Sequence, residues 1–157
     1  MSNLIVGALA AVPVTFLAWL AYNWAGKPIL DVRSKRLDAL KAAELYGFTG
    51  YGHGEDKESR ARDGLLEAAT SLRAINRGQP WTAKVYCRLL GYDLELAASV
   101  LLGLVGLVGA ALGHENTSRR DAVDAVHVLL NASQHLSAER IREIREKLAR
   151  PLALPRA

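Results

Sequence analysis

Hydrophobic residues dominate the first 26 positions of the chain, and no charged side chain interrupts them before Lys27. About 20 apolar residues in a helix cross a hydrocarbon core about 30 Å thick. Three aromatic residues cluster toward the end of this stretch, where such rings favour the headgroup layer of a bilayer. The pattern therefore predicts a transmembrane anchor over residues 1–26. Its membrane-facing side chains are Leu4, Val6, Phe16, Trp19, Tyr22 and Trp24.

The charges around this stretch predict a retained anchor and its orientation. A cleaved export signal begins with a positively charged segment, and the first three residues carry no Lys or Arg. Basic residues follow the stretch instead, so the positive-inside rule places the N-terminus outside an inner (plasma) membrane and the main domain in the cytoplasm. A core helix of a soluble protein is the alternative, but such helices are rarely this long without a charge. We expect four side chains to face the headgroups: Lys27, Arg33, Lys35 and Arg36.

After the anchor, apolar residues recur three and four positions apart, and period-two alternation is absent from the sequence. The chain is therefore expected to be all-α, with about five helices in one domain over residues 27–150. Helices are predicted over residues 28–46, 57–76 and 80–90, and two more after Ser118 and Ser137. Residues 151–157 are predicted to form a disordered tail.

The segment from residue 94 to residue 113 is a predicted helix that is almost entirely apolar and rich in glycine. Its length allows a second membrane span. A hairpin of two spans would export Arg119 and Arg120, against the positive-inside rule, so we expect a helix that is not a full span. Small residues four positions apart let helix backbones approach closely, which predicts a packing face. Its pairs are Ser99 with Gly103, Gly106 with Ala110, and Gly109 with Gly113.

The charge balance favours a lipid surface over nucleic acid as the partner of the basic residues. The net charge is +4, but the 20 basic residues are interspersed with 16 acidic ones. Each juxtamembrane Lys or Arg contributes about 1 kcal/mol of attraction to an anionic leaflet. Nucleic-acid binding would need aromatic rings interleaved with the charges, and few are present. The single cysteine, Cys87, excludes an internal disulfide and is expected to be a buried thiol.

Asp124 and His127 are the most suggestive pair for chemistry, because a spacing of three places them on one helix face. No His-x-x-x-His or Glu-x-x-His motif accompanies them, and no Gly-x-Ser-x-Gly sequence is present. We therefore expect no metal site, no cofactor and no catalytic residues. An enzyme that uses these two side chains remains a third alternative.

The stretches Ser71-Leu72-Arg73-Ala74 and Pro80-Trp81 through Leu89-Leu90-Gly91-Tyr92-Asp93 to Ala98 resemble a group of small bacterial membrane proteins of unknown function. The resemblance covers about residues 1–130 and implies an N-terminal span followed by an Arg-rich and Leu-rich helical domain. With the patterns above, it predicts a membrane-anchored helical binding or scaffold protein. This protein would pack with a protein partner or a second copy through the glycine-bearing helix. The alternative is a two-span accessory subunit or a small membrane-active protein of a membrane complex.

Overall fold

Six α-helices follow one another in the computed structural model, which describes residues 14–48, 54–109 and 115–149. Residues 14–21 are helical and continue through a π-helical turn, Tyr22–Gly26, into α1. The helices are α1 (Lys27–Tyr46), α2 (Glu55–Gly78), α3 (Trp81–Leu89), α4 (Leu94–Leu107), α5 (Glu115–Leu129) and α6 (Ala138–Ala149). No strand occurs in these described ranges, and the all-α prediction is confirmed.

The π-helical turn has an identifiable chemical neighbour in Pro28. The N–H of Lys27 bonds to the Tyr22 carbonyl, five residues earlier, which is the π-helical register. Pro28 has no N–H, so it cannot donate to the carbonyl of Trp24 as an α-helical residue would. The hydroxyl of Thr82, in α3, donates to that carbonyl at 2.8 Å. The helix therefore continues from residue 14 into the domain, and the carbonyl that has no helical donor is hydrogen-bonded by a side chain of α3.

α1 and α2 pack antiparallel. The ring of Tyr46, at the end of α1, lies so close to Gly64 that a Cβ there would come within 2.4 Å of the Tyr46 Cε2 atom. At the opposite end of the pair, residues 27–31 and residues 74–78 line one cavity. A side chain at position 64 would thus have to displace the Tyr46 ring that packs there.

α4 also packs antiparallel to α2, on another face. Arg73 near the end of α2 pairs with Glu95 at the start of α4, with 3.2 Å between Nε and Oε1. Arg62, earlier in α2, donates to the carbonyl of Val108 at 3.1 Å. α5 packs on α4 in turn, and the backbone N–H of Asp93 bonds to the carbonyl of Leu129 at 3.0 Å. The core therefore lies between α1, α2, α4 and α5.

Alanines supply most of the fully buried positions in this core, and leucines supply most of the others. An alanine adds little volume, so two helix axes can approach closely where alanines face each other. The fully buried alanines include Ala39, Ala43, Ala61, Ala69, Ala97 and Ala98, and the fully buried leucines include Leu65, Leu72 and Leu101. No Phe, Tyr or Trp is fully buried among the described residues, and the tyrosine rings pack only at the edge of this core.

α4 ends at Leu107, whereas the sequence predicted a helix reaching residue 113. Val108 is already extended, with ψ at 127°, and Gly109 has a φ of 84°. The guanidinium of Arg119 donates to the Leu107 carbonyl, and Arg62 takes the next one. These contacts satisfy carbonyl groups that a continuing helix would have used itself. The helix is about 21 Å long at 1.5 Å per residue.

Among the described residues, no single helix is both long and apolar enough to cross a membrane. α3 and α4 together have the length and composition of a span, but they are bent by 77°. The first half of the predicted anchor, residues 1–13 with Leu4 and Val6, lies outside the described residues, as do Ala110, Gly113 and the predicted tail.

Candidate membrane-facing surface and apolar groove

The helical residues 14–24 expose apolar side chains on every side. Six large side chains are between 56% and 66% exposed, and none belongs to the core. Successive residues turn by about 100° around a helix, so these positions cover its whole circumference. A helix that is apolar all round is buried in a protein or a membrane. The six are Val14, Phe16, Leu17, Trp19, Tyr22 and Trp24.

The four basic residues expected at the headgroups have different surroundings. Lys27 and Arg33 are exposed, and Lys35 is half-buried, 3.4 Å from the carboxylate of Asp38. Lys27 lies only three residues beyond Trp24, about 4.5 Å along the helix. Of the four basic residues, Lys27 therefore lies nearest to the exposed apolar helix of residues 14–24.

Arg36 is engaged inside the fold. Its Nε donates to the Leu130 carbonyl at 2.7 Å, and its terminal nitrogen donates to the Asn131 carbonyl at 3.1 Å. The guanidinium also lies over the ring of Tyr92, 5.2 Å from the ring centroid. These contacts join α1 to the chain that follows α5. No local sequence pattern indicates them, because the partners are 94 and 95 residues away.

The glycine-bearing face of α4 borders an apolar groove of about 540 Å³ between α4, α5 and α6. Ser99 and Gly103 form part of its wall, and α5 and α6 supply the others. A Cβ added at Gly103 or at Gly106 would meet no atom within 4 Å, so neither glycine packs against another described helix. The groove is lined by Leu96, Val100, Leu107, Ala122, Ala125, Ile144 and Leu148, with Asp121 and Lys147 at polar positions.

Gly109 serves the turn after α4. Its φ of 84° is a conformation that L side chains rarely adopt, and a Cβ there would lie 2.6 Å from the Glu58 carboxylate. The positive φ favours glycine at this position, whereas the Glu58 carboxylate is the end of a flexible side chain that could move aside. Of the predicted small-residue pairs, Ser99 with Gly103 is the one whose two members line the groove.

Asp124 and His127 lie on α5 and are both nearly buried. Their side chains have different partners. The Asp124 carboxylate accepts a hydrogen bond of 2.9 Å from the Nε of Arg140. The Nε2 of His127 lies 3.5 Å from a carboxylate oxygen of Glu44, and its ring meets the edge of the His135 ring at 4.6 Å between centroids.

The protonation of His127 is disfavoured. Burial lowers the pKa of its imidazole below 6.5, and the nearby charge of His135 lowers it further. Glu44 and Asp124 act in the opposite direction but do not reverse the shift. No group of three or more metal-ligating side chains occurs in the described part of the chain. His127 is therefore a neutral, packed histidine at pH 7.

Arg140 is the centre of an ion-pair network that fastens α6 to α5. It contacts Asp121 and Asp124 on α5 and Glu143 on α6. Lys147 lies 2.7 Å from the carboxylates of both Asp121 and Glu143. Burial alone would raise the pKa of Asp121, but the hydrogen bonds from Lys147 and Arg140 keep it below its ordinary value. The Asp121 carboxylate, which lines the groove, is thus engaged in the ion pairs that join α5 to α6.

Comparison with known proteins adds no assignment. No protein-family model, no curated protein and no solved structure matches the chain. The resemblance to small bacterial membrane proteins stays a prediction. The function must be argued from the surfaces of this chain.

Proposed function

We propose that this chain is a membrane-anchored helical binding module. Residues 1–26 cross the plasma membrane with the N-terminus outside, and the six-helix domain lies in the cytoplasm. There it binds an apolar helix, from a partner protein or a second copy, in the groove between α4, α5 and α6. The observation that carries the proposal is the helix of residues 14–24, whose large apolar side chains are exposed on every side.

Water is an unfavourable environment for that helix because its large apolar side chains are exposed. Burial of apolar surface is favourable by roughly 25 cal/mol per Å², and contiguous exposed apolar patches mark interaction or membrane sites. The aromatic residues Trp19, Tyr22 and Trp24 precede Lys27, an order typical of the zone where a span meets the headgroups. A bilayer would bury the apolar side chains of this segment and would place its aromatic residues and Lys27 near the headgroups.

The burial of α4 supports a single span over two. Five apolar residues of α4 are buried, and its neighbours are α2 and α5. To cross a bilayer, α4 would have to leave these partners, and its length of about 21 Å falls short of the hydrocarbon thickness. A two-span accessory subunit is therefore less well supported. An enzyme built on Asp124 and His127 is also less well supported, because the two side chains are engaged with different partners.

The groove supports the binding role. One of its walls carries Ser99 and Gly103, and small residues let a second helix approach the backbone closely. Its other lining residues are mainly apolar, so an apolar helix would bury surface on both sides.

The anchor is tested by two pairs of apolar-to-aspartate substitutions, one inside the proposed span and one outside it. Val14→Asp with Leu17→Asp puts two carboxylates in the proposed span, where each costs about 3 kcal/mol. Leu37→Asp with Leu45→Asp changes two leucines of α1 that are similarly exposed. We expect the first variant to be released from membranes by alkaline carbonate and the second to stay with the wild type. Release of the wild-type chain would overturn the anchor.

The orientation and the groove need separate measurements. A reporter fused after Ala157 should be active only in the cytoplasm, and an external C-terminus would contradict the single-span arrangement. Gly103→Leu would partly fill the groove, whereas Gly106→Leu on the same helix meets open space outside it. Chemical cross-linking in membranes should lose its adducts for Gly103→Leu and keep them for Gly106→Leu. Unchanged adducts in both variants would contradict binding in the groove.

A further inference from the structure

α3 exposes a stripe of large apolar side chains that no described part of the chain covers. Trp81, Val85 and Leu89 follow one another at intervals of four and are 66%, 41% and 80% exposed. Residues four apart lie on one helix face. The opposite face of α3 carries the buried residues Ala83 and Cys87. The helix is thus amphipathic in an unusual way. Its small residues Ala83 and Cys87 face the core, and the larger apolar residues of the stripe face outward.

The charges of α3 are all of one sign. Lys84 and Arg88 are exposed and lie beside the apolar stripe, and the helix contains no acidic residue. A helix with Lys or Arg next to exposed Trp and Leu is typical of segments that lie in the interfacial layer of an anionic membrane. Each such basic residue near the surface adds to the attraction for an anionic leaflet.

α3 lies beside the end of the proposed span, where its apolar stripe and basic residues could meet lipid. The hydrogen bond from Thr82 to the Trp24 carbonyl, 2.8 Å long, fixes the start of α3 beside the last aromatic residue of the proposed span. α3 also contacts the π-helical turn and α1. The stripe therefore begins at the level where the N-terminal helix would leave the bilayer.

The direction of α3 is also suitable. Its axis is bent by 77° from that of α4, and both α4 and α1 run antiparallel to α2. α3 consequently crosses the end of the helix bundle instead of running along it. If the N-terminal helix stands upright in a membrane, this arrangement lays α3 along the surface.

We propose that α3 is an interfacial helix that seats the domain on an anionic bilayer, with Trp81, Val85 and Leu89 among the lipids and Lys84 and Arg88 at the headgroups. This inference rests on the proposed membrane anchor. It goes beyond that proposal because it fixes which end of the domain touches lipid and holds the domain at the surface instead of leaving it on a tether. Leu45 and Phe48, exposed at the far end of α1, stay in water.

The test measures the depth of a single tryptophan in the full-length chain reconstituted in lipid vesicles. One variant, Trp19→Phe with Trp24→Phe, keeps Trp81 as the sole tryptophan. The matched control adds Trp81→Phe and Leu45→Trp, which moves the probe to an equally exposed site about 31 Å along α1 from Trp24. Lipids brominated near the headgroup end of their acyl chains quench only tryptophans within the bilayer, whichever way the chain is inserted.

We expect several-fold stronger quenching by these lipids for Trp81 than for the tryptophan at position 45. In the background with Trp81 alone, Lys84→Gln with Arg88→Gln should reduce the quenching several-fold in vesicles that contain phosphatidylglycerol. The same pair should have little effect in phosphatidylcholine alone, since charge attraction needs an anionic lipid.

The outcomes separate this inference from the proposed function. If the chain floats with the vesicles after an alkaline wash and both probes are equally unquenched, α3 is not interfacial and the anchor stands. If the chain does not float with the vesicles, both proposals fall. Equal quenching of both probes would mean that the whole domain lies on the lipid, which overturns the specific role of α3. Circular dichroism confirms in each case that the variants keep the wild-type helix content.

Discussion

The hydroxyl of Thr82 donates a hydrogen bond of 2.8 Å to the backbone carbonyl of Trp24. This carbonyl lacks its usual α-helical donor because the residue four positions later is Pro28. A side chain of α3 therefore completes the backbone bonding of the helix that enters the domain. The contact joins the exposed N-terminal helix to the body of the protein over a separation of 58 residues.

Thr82→Val should weaken this junction. The substitution keeps the shape of the side chain and removes the donor, so the free energy of unfolding should fall by about 1 kcal/mol. For a chain of this size, that lowers the midpoint of thermal unfolding by about 2–4 °C. The measurement is thermal unfolding of the full chain in mild detergent, followed by circular dichroism.

Thr70→Val is the matched control for that measurement. Thr70 is exposed, and its hydroxyl donates at 2.8 Å to the Leu66 carbonyl within its own helix, a carbonyl that the helix already satisfies. Its loss should leave the midpoint nearly unchanged. Equal shifts for the two variants would mean that the Trp24 carbonyl does not need Thr82.

Arg36→Met should destabilise the domain. The methionine keeps the aliphatic stem but removes the donors to the Leu130 and Asn131 carbonyls and the charge over the Tyr92 ring. Hydrogen bonds from a charged donor contribute about 1.5–3 kcal/mol, so we expect a loss in that range.

Arg33→Met, one turn earlier on α1, is the control for Arg36→Met because Arg33 is exposed. Its thermal midpoint should stay within about 2 °C of the wild type, since exposed substitutions rarely change stability by more than about 0.5 kcal/mol. A large shift for Arg33→Met, or none for Arg36→Met, would contradict the structural role of Arg36.

The contrast between these two arginines explains what the sequence could and could not predict. The helix type, and most of the helix bounds, follow from local periodicity, glycines and prolines, so the all-α fold was predictable. The role of Arg36 depends on carbonyls 94 and 95 residues away. Nothing in the local pattern distinguishes Arg36 from Arg33, so both were assigned to the headgroups.

The same limit applies to α4 and to α3. The apolar run after residue 94 predicted a helix, but its end at Leu107 depends on Arg62 and Arg119 from two other helices. The stripe of Trp81, Val85 and Leu89 is visible in the sequence as a spacing of four. Only the packing shows that Ala83 and Cys87 form the inner face and leave the larger residues outside.

Arg140→Gln should loosen α6. Asp124, whose side chain is only 11% exposed, would keep its negative charge without its partner, and Asp121 would lose one of its two cationic neighbours. Breaking a pair of this kind on one side is destabilising, by about 2 kcal/mol for a partly exposed network.

Arg142→Gln gives the comparison for Arg140→Gln on the same helix. Its pair with Glu146 spans 3.9 Å between two well exposed side chains. Such pairs contribute at most about 0.5 kcal/mol, so chemical unfolding in urea should hardly distinguish this variant from the wild type. A similar loss of unfolding free energy in both variants would show that the network around Arg140 stabilises the domain no more than an exposed ion pair does.

His127 should make the stability of the domain depend on pH. Burial, together with the charge of His135, holds its pKa below 6.5 in the folded state. The unfolded chain therefore binds a proton more readily than the folded one, and the free energy of unfolding falls as the pH drops below about 6.5. Asp121 and Glu143 have pKa values below their ordinary ones, so they remain charged in this range, and their contribution to stability disappears only at lower pH.

His127→Gln should flatten the dependence of unfolding free energy on pH between about pH 7.5 and pH 5.5. His135→Gln should reduce the slope of that dependence because it removes a neighbouring positive charge. Urea unfolding across this pH range measures the effect, and a wild-type profile as flat as that of His127→Gln would contradict the shift.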